Sequence, residues 1–314
     1  MNIFHHATVG LDFNRESASA ILDRATQLVD PKEIDVVHAL PGNDHSFVTA
    51  EESELIEMCT GYGVGSIRFA SGESAHTLHE QAQERHSDLI IVGSHGRPGL
   101  RGMVHSHSNA ALHGTPCDLL TVHLDDPPQG RLPPYQHILV AMDLDPVPLV
   151  PECEQCVFSS RERAEDRLSR GHRVINALKP MKLIQHHSYH GEEPGLPLCR
   201  VETEVILDAH KVARRSGAKL SLCHVYMGYD VDTQQMEREL LNSLGELYEV
   251  PEDRRYSLPG SVSGAIHQLA GDIGADLVVV GTHGRSGLSL ARGSTANAVL
   301  HGATCDQLSV RIAA

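Results

Sequence analysis

The feature that most constrains the fold is a segment that occurs twice in the chain. Residues 88–121 read DLIIVGSHGRPGLRGMVHSHSNAALHGTPCDLLT, and residues 276–309 read DLVVVGTHGRSGLSLARGSTANAVLHGATCDQLS. Equivalent residues, such as Gly93 and Gly281, are all separated by the same offset. Because the two copies lie in different halves of a 314-residue chain, they indicate an internal duplication at the scale of a domain.

The second copy has the layout of an anion-binding segment. It begins with a run typical of a buried strand, Asp276 to Val280, and continues as a glycine-rich loop that ends at Gly293 and Ser294. A helical stretch and a strand, Gln307 to Ile312, follow. Glycines let the main chain approach a ligand closely, and the free N–H groups of a first helical turn attract an anion. Ser294 stands where a helix N-cap is expected.

Strands alternate with helices in both halves. We predict a first strand at residues 3–12, followed by a helix from Ser17 to Val29, and the motif HATVGLD of this strand returns as HILVAMD at residues 137–143. The chain is 4% aromatic and has no Trp, which suits aliphatic parallel strands covered by helices. We therefore predict an α/β fold in which each half is a parallel sheet of about five strands with helices on both faces. Ligands of such sheets bind beyond the carboxyl ends of the strands.

A proline-rich polar stretch separates the halves. Residues 125–134 read DDPPQGRLPP, which is typical of a linker. The predicted boundaries are a first domain at 1–124, a linker at 125–136 and a second domain at 137–314. The second half carries an insertion at about 146–200, between its first strand and its first helix.

The segment GTHGRSGLSLARGSTANAVL resembles the closing segment of the universal stress proteins, whose signature is G-x2-G-x9-G-[ST]. The resemblance extends over most of both halves and implies two tandem flavodoxin-like, Rossmann-like domains of the HUP type. In the second half, residues 285–292 make the spacer between Gly284 and Gly293 one residue short. In the first half, His105 followed by Ser106 replaces the last glycine. Since His105 brings a side chain to the place where the main chain should approach phosphate, we expect the first half to be a scaffolding copy.

The resemblance implies ATP, or another adenine nucleotide, as the ligand of the second half. Asp143 would face the adenosine part, and Val225 would offer main-chain groups to the adenine edge. The phosphates and ribose would be held by Gly281, Gly284, Gly293 and Ser294. Arg285 would reach phosphate oxygens or remain a surface charge. The alternative is that the glycines only shape the turn and that Asp143 caps a helix.

Efficient catalysis is not expected. The sequence has nothing that resembles a P-loop lysine, a carboxylate pair for magnesium or a placed general base. His283 lies in the predicted loop, but His95 holds the same place in the first half, so a structural role is expected. An ATP-using ligase or sulfurtransferase of related fold would need a Ser-Gly-Gly loop after its first strand, where residues 143–146 read DLDP. We expect a regulatory protein that binds ATP and is not an enzyme.

The insertion carries candidate zinc ligands. Cys153 and Cys156 form a C-x2-C pair, which is typical of one half of a tetrahedral zinc site. The other candidate ligands are His186, His187, His190 and Cys199. The alternatives are a surface loop with incidental thiols and a reversible disulfide. A metal- or redox-responsive module without nucleotide is therefore an alternative function, and the insertion, which leaves the chain after Asp143, would either cover or block the pocket.

The net charge and the distribution of apolar residues argue against two classes of partner, nucleic acids and membranes. A net charge of −15 argues against a nucleic-acid-binding surface. The chain has neither a signal-peptide pattern at residues 1–13 nor a run of about 18 apolar residues, so we expect a cytoplasmic protein that does not span a membrane.

We expect Cys117 and Cys305 to be small buried residues. Leu119 to Val122 should pair with Gln307 to Val310 within one chain, and other surfaces should form a homodimer and contact a protein partner.

Overall fold

The structure is a computed structural model of the chain. It describes residues 3–40, 49–94, 111, 114–125, 130–144, 200–226, 231–283 and 295–312. The elements of the first half are β1 (Ala7–Gly10), α1 (Arg15–Leu28), β2 (Ile34–Leu40), α2 (Ala50–Tyr62), β3 (Ser66–Ser71), α3 (Ser74–Glu84), β4 (Leu89–Ser94) and β5 (Asp118–His123). Those of the second half are β6 (His137–Met142), α4 (Arg200–Ser216), β7 (Lys219–Tyr226), α5 (Val231–Leu247), β8 (Arg255–Pro259), α6 (Val262–Ile273), β9 (Leu277–His283), α7 (Thr295–Leu300) and β10 (Asp306–Ile312).

The described strands form one ten-stranded sheet in the order β3-β2-β1-β4-β5-β10-β9-β6-β7-β8. Within each half, neighbouring strands are parallel, as predicted. The halves join through β5 and β10, which are antiparallel and pair Leu119 with Ser309, Leu120 with Leu308 and Thr121 with Gln307. The predicted pairing of the last strands within one chain is therefore confirmed.

Two hydrophobic clusters cover the two faces of the sheet. Along a central strand, successive residues alternate between them: Val279 belongs to the cluster under α1, α2, α4 and α5, and Val278 and Val280 to the one under α3, α6 and α7. Strands buried on both faces read as continuous aliphatic runs, which is why they could be predicted from the sequence. Within the described ranges, no helix has the length and apolar character needed to cross a membrane.

Three predicted boundaries are corrected. The first strand begins at Ala7 rather than at residue 3, because the main-chain N–H groups of His5 and His6 bond the Asp88 carboxylate. Helix α1 begins before Ser17, since the side chain of Asn14 accepts from the Ser17 N–H at 3.0 Å. Strand β9 continues past Val280 to His283, because its last residues keep their partners on β10. His283 therefore ends a strand and does not lie in a loop.

Two aspartates bond the main chain across the junction of the halves. The N–H of His123 on β5 donates to Asp306 Oδ1 at 2.8 Å, and the N–H of Arg311 on β10 donates to Asp118 Oδ1 at 2.7 Å. Each bond runs from one half to the other, at opposite ends of the antiparallel pair. The junction is therefore nearly symmetric in its main-chain contacts.

The side chains around Asp306 form a buried ion pair. Arg24 of α1 donates from Nε to Asp306 Oδ2 at 2.7 Å, and the Tyr135 hydroxyl donates to the same oxygen at 2.8 Å. The side chains of Arg24 and Asp306 are only 7% and 6% exposed. The guanidinium carbon also lies 4.0 Å from the centre of the Tyr135 ring. Burial raises the pKa of Asp306, and the charge of Arg24 opposes that shift.

The end of the predicted linker packs on α1. Arg24 donates to the carbonyl of Pro133 at 2.6 Å, and Gln27 donates to the carbonyl of Leu132 at 2.8 Å. Tyr135, which a polar linker would leave in solvent, is fully buried. The described part of the linker is thus part of the junction.

Among the described residues, no arginine side chain forms an ion pair with Asp118, the counterpart of Asp306; Arg311 bonds it only through its main-chain N–H. Helix α4 reads ILDA where α1 reads ILDR, so Ala209 stands where Arg24 would be. The half-buried Asp118 faces acidic charge instead. Burial, and next the charge of Asp208, raise the pKa of Asp118 to about 8. The two ends of the junction are therefore chemically unequal.

The substitution Asp306→Asn tests the buried pair. Removing the carboxylate leaves the Arg24 charge buried without its counter-ion, and we expect the free energy of unfolding to fall by about 3–5 kcal/mol at pH 7. Urea denaturation followed by circular dichroism measures it. The matched control is Asp118→Asn, which should cost far less because no buried cation depends on Asp118. Equal losses in the two variants would contradict this account.

The pKa of Asp118 predicts a pH dependence of stability. The carboxyl of an unfolded chain titrates near ~4. Between that pH and about 8, the folded protein retains a proton that the unfolded chain has lost, so this group's contribution to stability falls as the pH rises. The melting temperature of Asp118→Asn should therefore rise relative to wild type from pH 5 to 8 and then stay level. A difference that is the same at pH 5 and pH 9 would show that Asp118 titrates normally.

Candidate functional site

The carboxyl ends of three strands meet at one edge of the second half. Strand β6 lies between β9 and β7 and is parallel to both. The chain leaves β6 toward α4 and β7 on one side, and β9 lies on the other side. The strand order reverses at this point, which is where open parallel sheets bind their ligands.

The register brings three of the predicted site residues to this edge. Met142 pairs with His224, so Asp143, the next residue, is level with Val225. Ala141 pairs with Val280, so Gly281 is level with Met142. The side chain of Asp143 is exposed, whereas Val225 is half-buried. Asp143, Val225 and Gly281 thus lie within one residue of a common level, near the carboxyl ends of three adjacent strands.

The remaining predicted ligand residues lie outside the described residues. They are Gly284, Arg285, Gly293 and Ser294 of the glycine-rich loop, and Cys153, Cys156, His186, His187, His190 and Cys199 of the insertion. The part of the chain that the structure describes contains no group of three or more His, Cys, Asp or Glu side chains placed to hold a metal ion. The zinc hypothesis therefore remains a prediction from the sequence.

The helix that follows the glycine-rich loop, α7, is bonded by one side chain from α6 and by one from strand β10. His267 Nε2 lies 2.7 Å from the carbonyl oxygen of Val299, and Gln307 Nε2 donates to the carbonyl of Ala296 at 3.1 Å. The first half repeats the first contact, with His79 Nε2 2.8 Å from the carbonyl oxygen of Ala111. The histidine contact is thus common to the two halves.

A buried histidine that the sequence analysis did not single out contacts the main chain on both sides of Asp143. His224 Nδ1 lies 3.1 Å from the carbonyl oxygen of Met142 and 3.3 Å from the main-chain nitrogen of Leu144. Its Nε2 lies 3.2 Å from Glu237 Oε2 on α5. The signal for this residue was its recurrence, because each half has a histidine near the end of its second strand, His38 and His224.

The first half has an equivalent histidine contact, but aromatic rings surround the histidine there. His38 Nδ1 lies 2.7 Å from the carbonyl oxygen of Leu11, the residue before Asp12. The ring of Phe13 packs on His38, with ring centres 3.9 Å apart, and that of Phe69 lies 5.9 Å away. An aromatic cluster therefore borders the carboxyl end of β1.

Gly93, the counterpart of Gly281, lies in a closely packed position. A Cβ at position 93 would collide with the side chain of Leu124 and lie 3.0 Å from Ile21 Cδ1. In the first half, this recurring glycine therefore serves the contact between β4 and the residue that follows β5. A role in ligand binding is not needed to explain it.

Four cysteines lie within the described ranges, and all are free thiols. Cys117 and Cys305, which were predicted to be small buried residues, are half-buried, and both pack against the hydrophobic cluster under α3, α6 and α7. Burial raises the pKa of Cys117, Cys223 and Cys305 to about 12 and that of Cys59 to about 11. A thiol that keeps its proton is a poor nucleophile, so these four residues have structural roles.

Solved structures of similar fold extend over nearly the whole chain. A Pseudomonas aeruginosa protein matches 98% of this chain and 92% of its own, with a TM-score of 0.61 and 18% identity. A universal stress protein from Archaeoglobus fulgidus matches 99% of this chain and 97% of its own, with a TM-score of 0.58 and 14% identity. At these identities the likeness establishes the fold: two Rossmann-like α/β units in one chain.

Sequence comparison identifies the family. Universal stress protein A homolog 1 of Coxiella burnetii is 41% identical over 123 residues, which cover 34% of this chain and 85% of that protein. A universal stress protein of Mycobacterium bovis is 28% identical over 220 residues, 69% of this chain and 59% of that protein. The model of the universal stress protein family matches residues 61–123 and 202–311, more than half of the chain. The chain therefore belongs to the universal stress protein family and carries the family's fold in tandem.

Proposed function

We propose that this chain is a regulatory stress-response protein that binds an adenine nucleotide, most simply ATP, at the carboxyl edge of its second half. The observation that carries the proposal is the common level of Asp143, Val225 and Gly281 at the point where the strand order reverses. The three residues suit such a ligand. Asp143 provides an exposed hydrogen-bond acceptor, Val225 provides main-chain groups near the end of its strand, and Gly281 has no side chain to obstruct the ligand.

The adenosine part fits beside Asp143 and Val225. Asp143 is exposed at the end of β6, where its carboxylate would accept hydrogen bonds from the ligand. The described pairing between β6 and β7 ends at Met142 and His224, one residue before the level of Val225. Main-chain groups of β7 beyond this point are no longer used by β6, so they can meet the polar edge of an adenine ring.

The phosphates belong on the glycine-rich loop. In this proposal Gly284, Gly293 and Ser294 supply main-chain N–H groups and a hydroxyl, and Arg285 supplies a positive charge. A net charge of −15 does not prevent this binding, because main-chain N–H groups attract phosphate locally whatever the charge of the surrounding surface.

The first half acts as a scaffold in this proposal. It provides β5 as the partner of β10 and Arg24 as the counter-ion of Asp306. Packing accounts for Gly93, and the ring of Phe13 borders the strand end where a ligand would lie. Only the second half is therefore assigned a nucleotide.

Nucleotide occupancy would act by changing a surface that a protein partner reads. No catalytic residue is assigned, and any turnover of ATP would be slow. Because β5 and β10 already pair with each other, a homodimer of the tandem chain would form through another surface. We place this protein in the cytoplasm.

Nucleotide binding is tested directly on the purified full-length protein. Heat denaturation should release ATP or AMP, and the nucleotide-free protein should bind added ATP in isothermal titration calorimetry. Asp143→Ala should raise the Kd for ATP roughly tenfold, about 1.4 kcal/mol, because one acceptor for the adenosine part is lost. The matched control is Asp12→Ala, at the same place in the first half, which should leave the Kd unchanged.

Two results would count against the proposal. A protein that releases no nucleotide and binds none when ATP is added would remove the function. Equal effects of Asp12→Ala and Asp143→Ala would show that the affinity does not arise in the second half.

A further inference from the structure

A buried acid–base pair stands directly behind the candidate nucleotide site. His224 on β7 and Glu237 on α5 are 3% and 4% exposed, and their Nε2 and Oε2 atoms are 3.2 Å apart. The two atoms are not aligned as a hydrogen bond, and neither has another hydrogen-bond partner among the described residues. Ionisable side chains are seldom buried so completely unless they are paired, because their desolvation costs several kcal/mol in order of magnitude.

The other end of the histidine reaches the main chain that carries Asp143. Nδ1 lies between the carbonyl oxygen of Met142 at 3.1 Å and the N–H of Leu144 at 3.3 Å. A neutral His224 that carries its proton on Nε2 presents the Nδ1 lone pair to the N–H of Leu144. Glu237 Oε2, 3.2 Å from Nε2, favours a proton on that nitrogen and so leaves Nδ1 as the acceptor of the Leu144 N–H.

The residues around this contact exclude water. Leu144 is 1% exposed and Met142 is 6% exposed, whereas Asp143 between them is exposed to solvent. In a dry setting, a main-chain contact with an imidazole is stronger than it would be in water. The exposed carboxylate of Asp143 therefore lies between two buried residues whose main chain contacts His224.

The first half has the histidine without this acid. His38 makes the same contact with Leu11, but Glu52, the buried acid on the corresponding helix, is used in another way. Glu52 accepts from the N–H of Thr49, and the Thr49 hydroxyl accepts from the N–H of Glu52, which makes the capping box of α2. The half that we expect to be empty of nucleotide thus uses its acid to cap a helix, and the other half directs its acid at the histidine.

We propose that Glu237 and His224 are positioning residues of the nucleotide site: the carboxylate orients the imidazole, and the imidazole holds the main chain of residues 142–144, which presents Asp143 to adenosine. This inference rests on the proposed function, since it assigns a role within that site. The pair touches no ligand itself. It acts through the main chain of residues 142–144.

The test uses Glu237→Gln, which keeps the size of the side chain and removes its charge. The Kd values for ATP, AMP and adenosine should rise by one common factor, about tenfold, because the lesion lies at the adenosine end. Glu52→Gln is the matched control; a glutamine also completes a capping box, so all three Kd values should stay at the wild-type level. Thermal melting of each variant separates lost affinity from lost fold.

A rescue variant distinguishes positioning from a merely structural role. In His224→Asn, the amide lies close to where Nδ1 was and can still bond the main chain of residues 142–144, so affinity should stay within about threefold of wild type. Adding Glu237→Gln to His224→Asn should then change nothing further. His224→Leu, which has no polar group, should lose as much affinity as Glu237→Gln.

The outcomes separate the two proposals. Nucleotide binding by wild type with unchanged Kd values in Glu237→Gln and His224→Leu would overturn the positioning role and leave the function intact. A loss that differs among ATP, AMP and adenosine would also overturn it, because the pair would then act on the phosphate loop. If wild type binds none of the three, the proposed function fails and the positioning role fails with it.

Discussion

The antiparallel pairing of β5 with β10 is the constraint on which the rest of the structure depends. It turns two parallel sheets into one sheet of ten strands and buries edges that would otherwise be free to associate. The pairing is locked by the Arg24–Asp306 ion pair, which is removed from solvent by Tyr135. Since β10 also pairs along its whole length with β9, the junction holds the strand that ends beside the candidate site. Scaffold and site are thus connected through one strand.

Much of the fold could be predicted from the sequence because the physical signals were local. Aliphatic runs have the composition of strands covered on both faces, and the strand predicted at Gln307 to Ile312 differs from β10 by one residue at its start. The candidate site was predicted in outline, because Asp143, Val225 and Gly281 follow such runs, and the carboxyl ends of parallel strands share an edge. Which of these residues lie opposite one another could be determined only from the strand register in the structure.

What could not be predicted depends on contacts between distant residues. Arg24 and Asp306 are 282 positions apart, and nothing near either residue marks it as one member of a pair. His224 sits in an aliphatic strand, where a histidine is ordinarily read as part of the core. Its role can be inferred only from the structure, in which Glu237 of α5 lies beside Nε2 and the main chain after β6 contacts Nδ1. The end of β9 was misjudged for the same reason, because a glycine suggested a loop although β10 continued alongside.

The inequality of the two junction aspartates has a consequence for the halves as separate pieces. The first half contains both Arg24 and Asp118, which is its counterpart of Asp306. Two copies of it could close on each other with the arginine of each facing the acid of the other. The second half has the acid but Ala209 in place of the arginine, so two copies of it would bring together carboxylates alone. An ion pair of the Arg24–Asp306 type could therefore form between two first halves but not between two second halves, so in this chain the second half obtains its counter-ion from the half to which it is covalently joined.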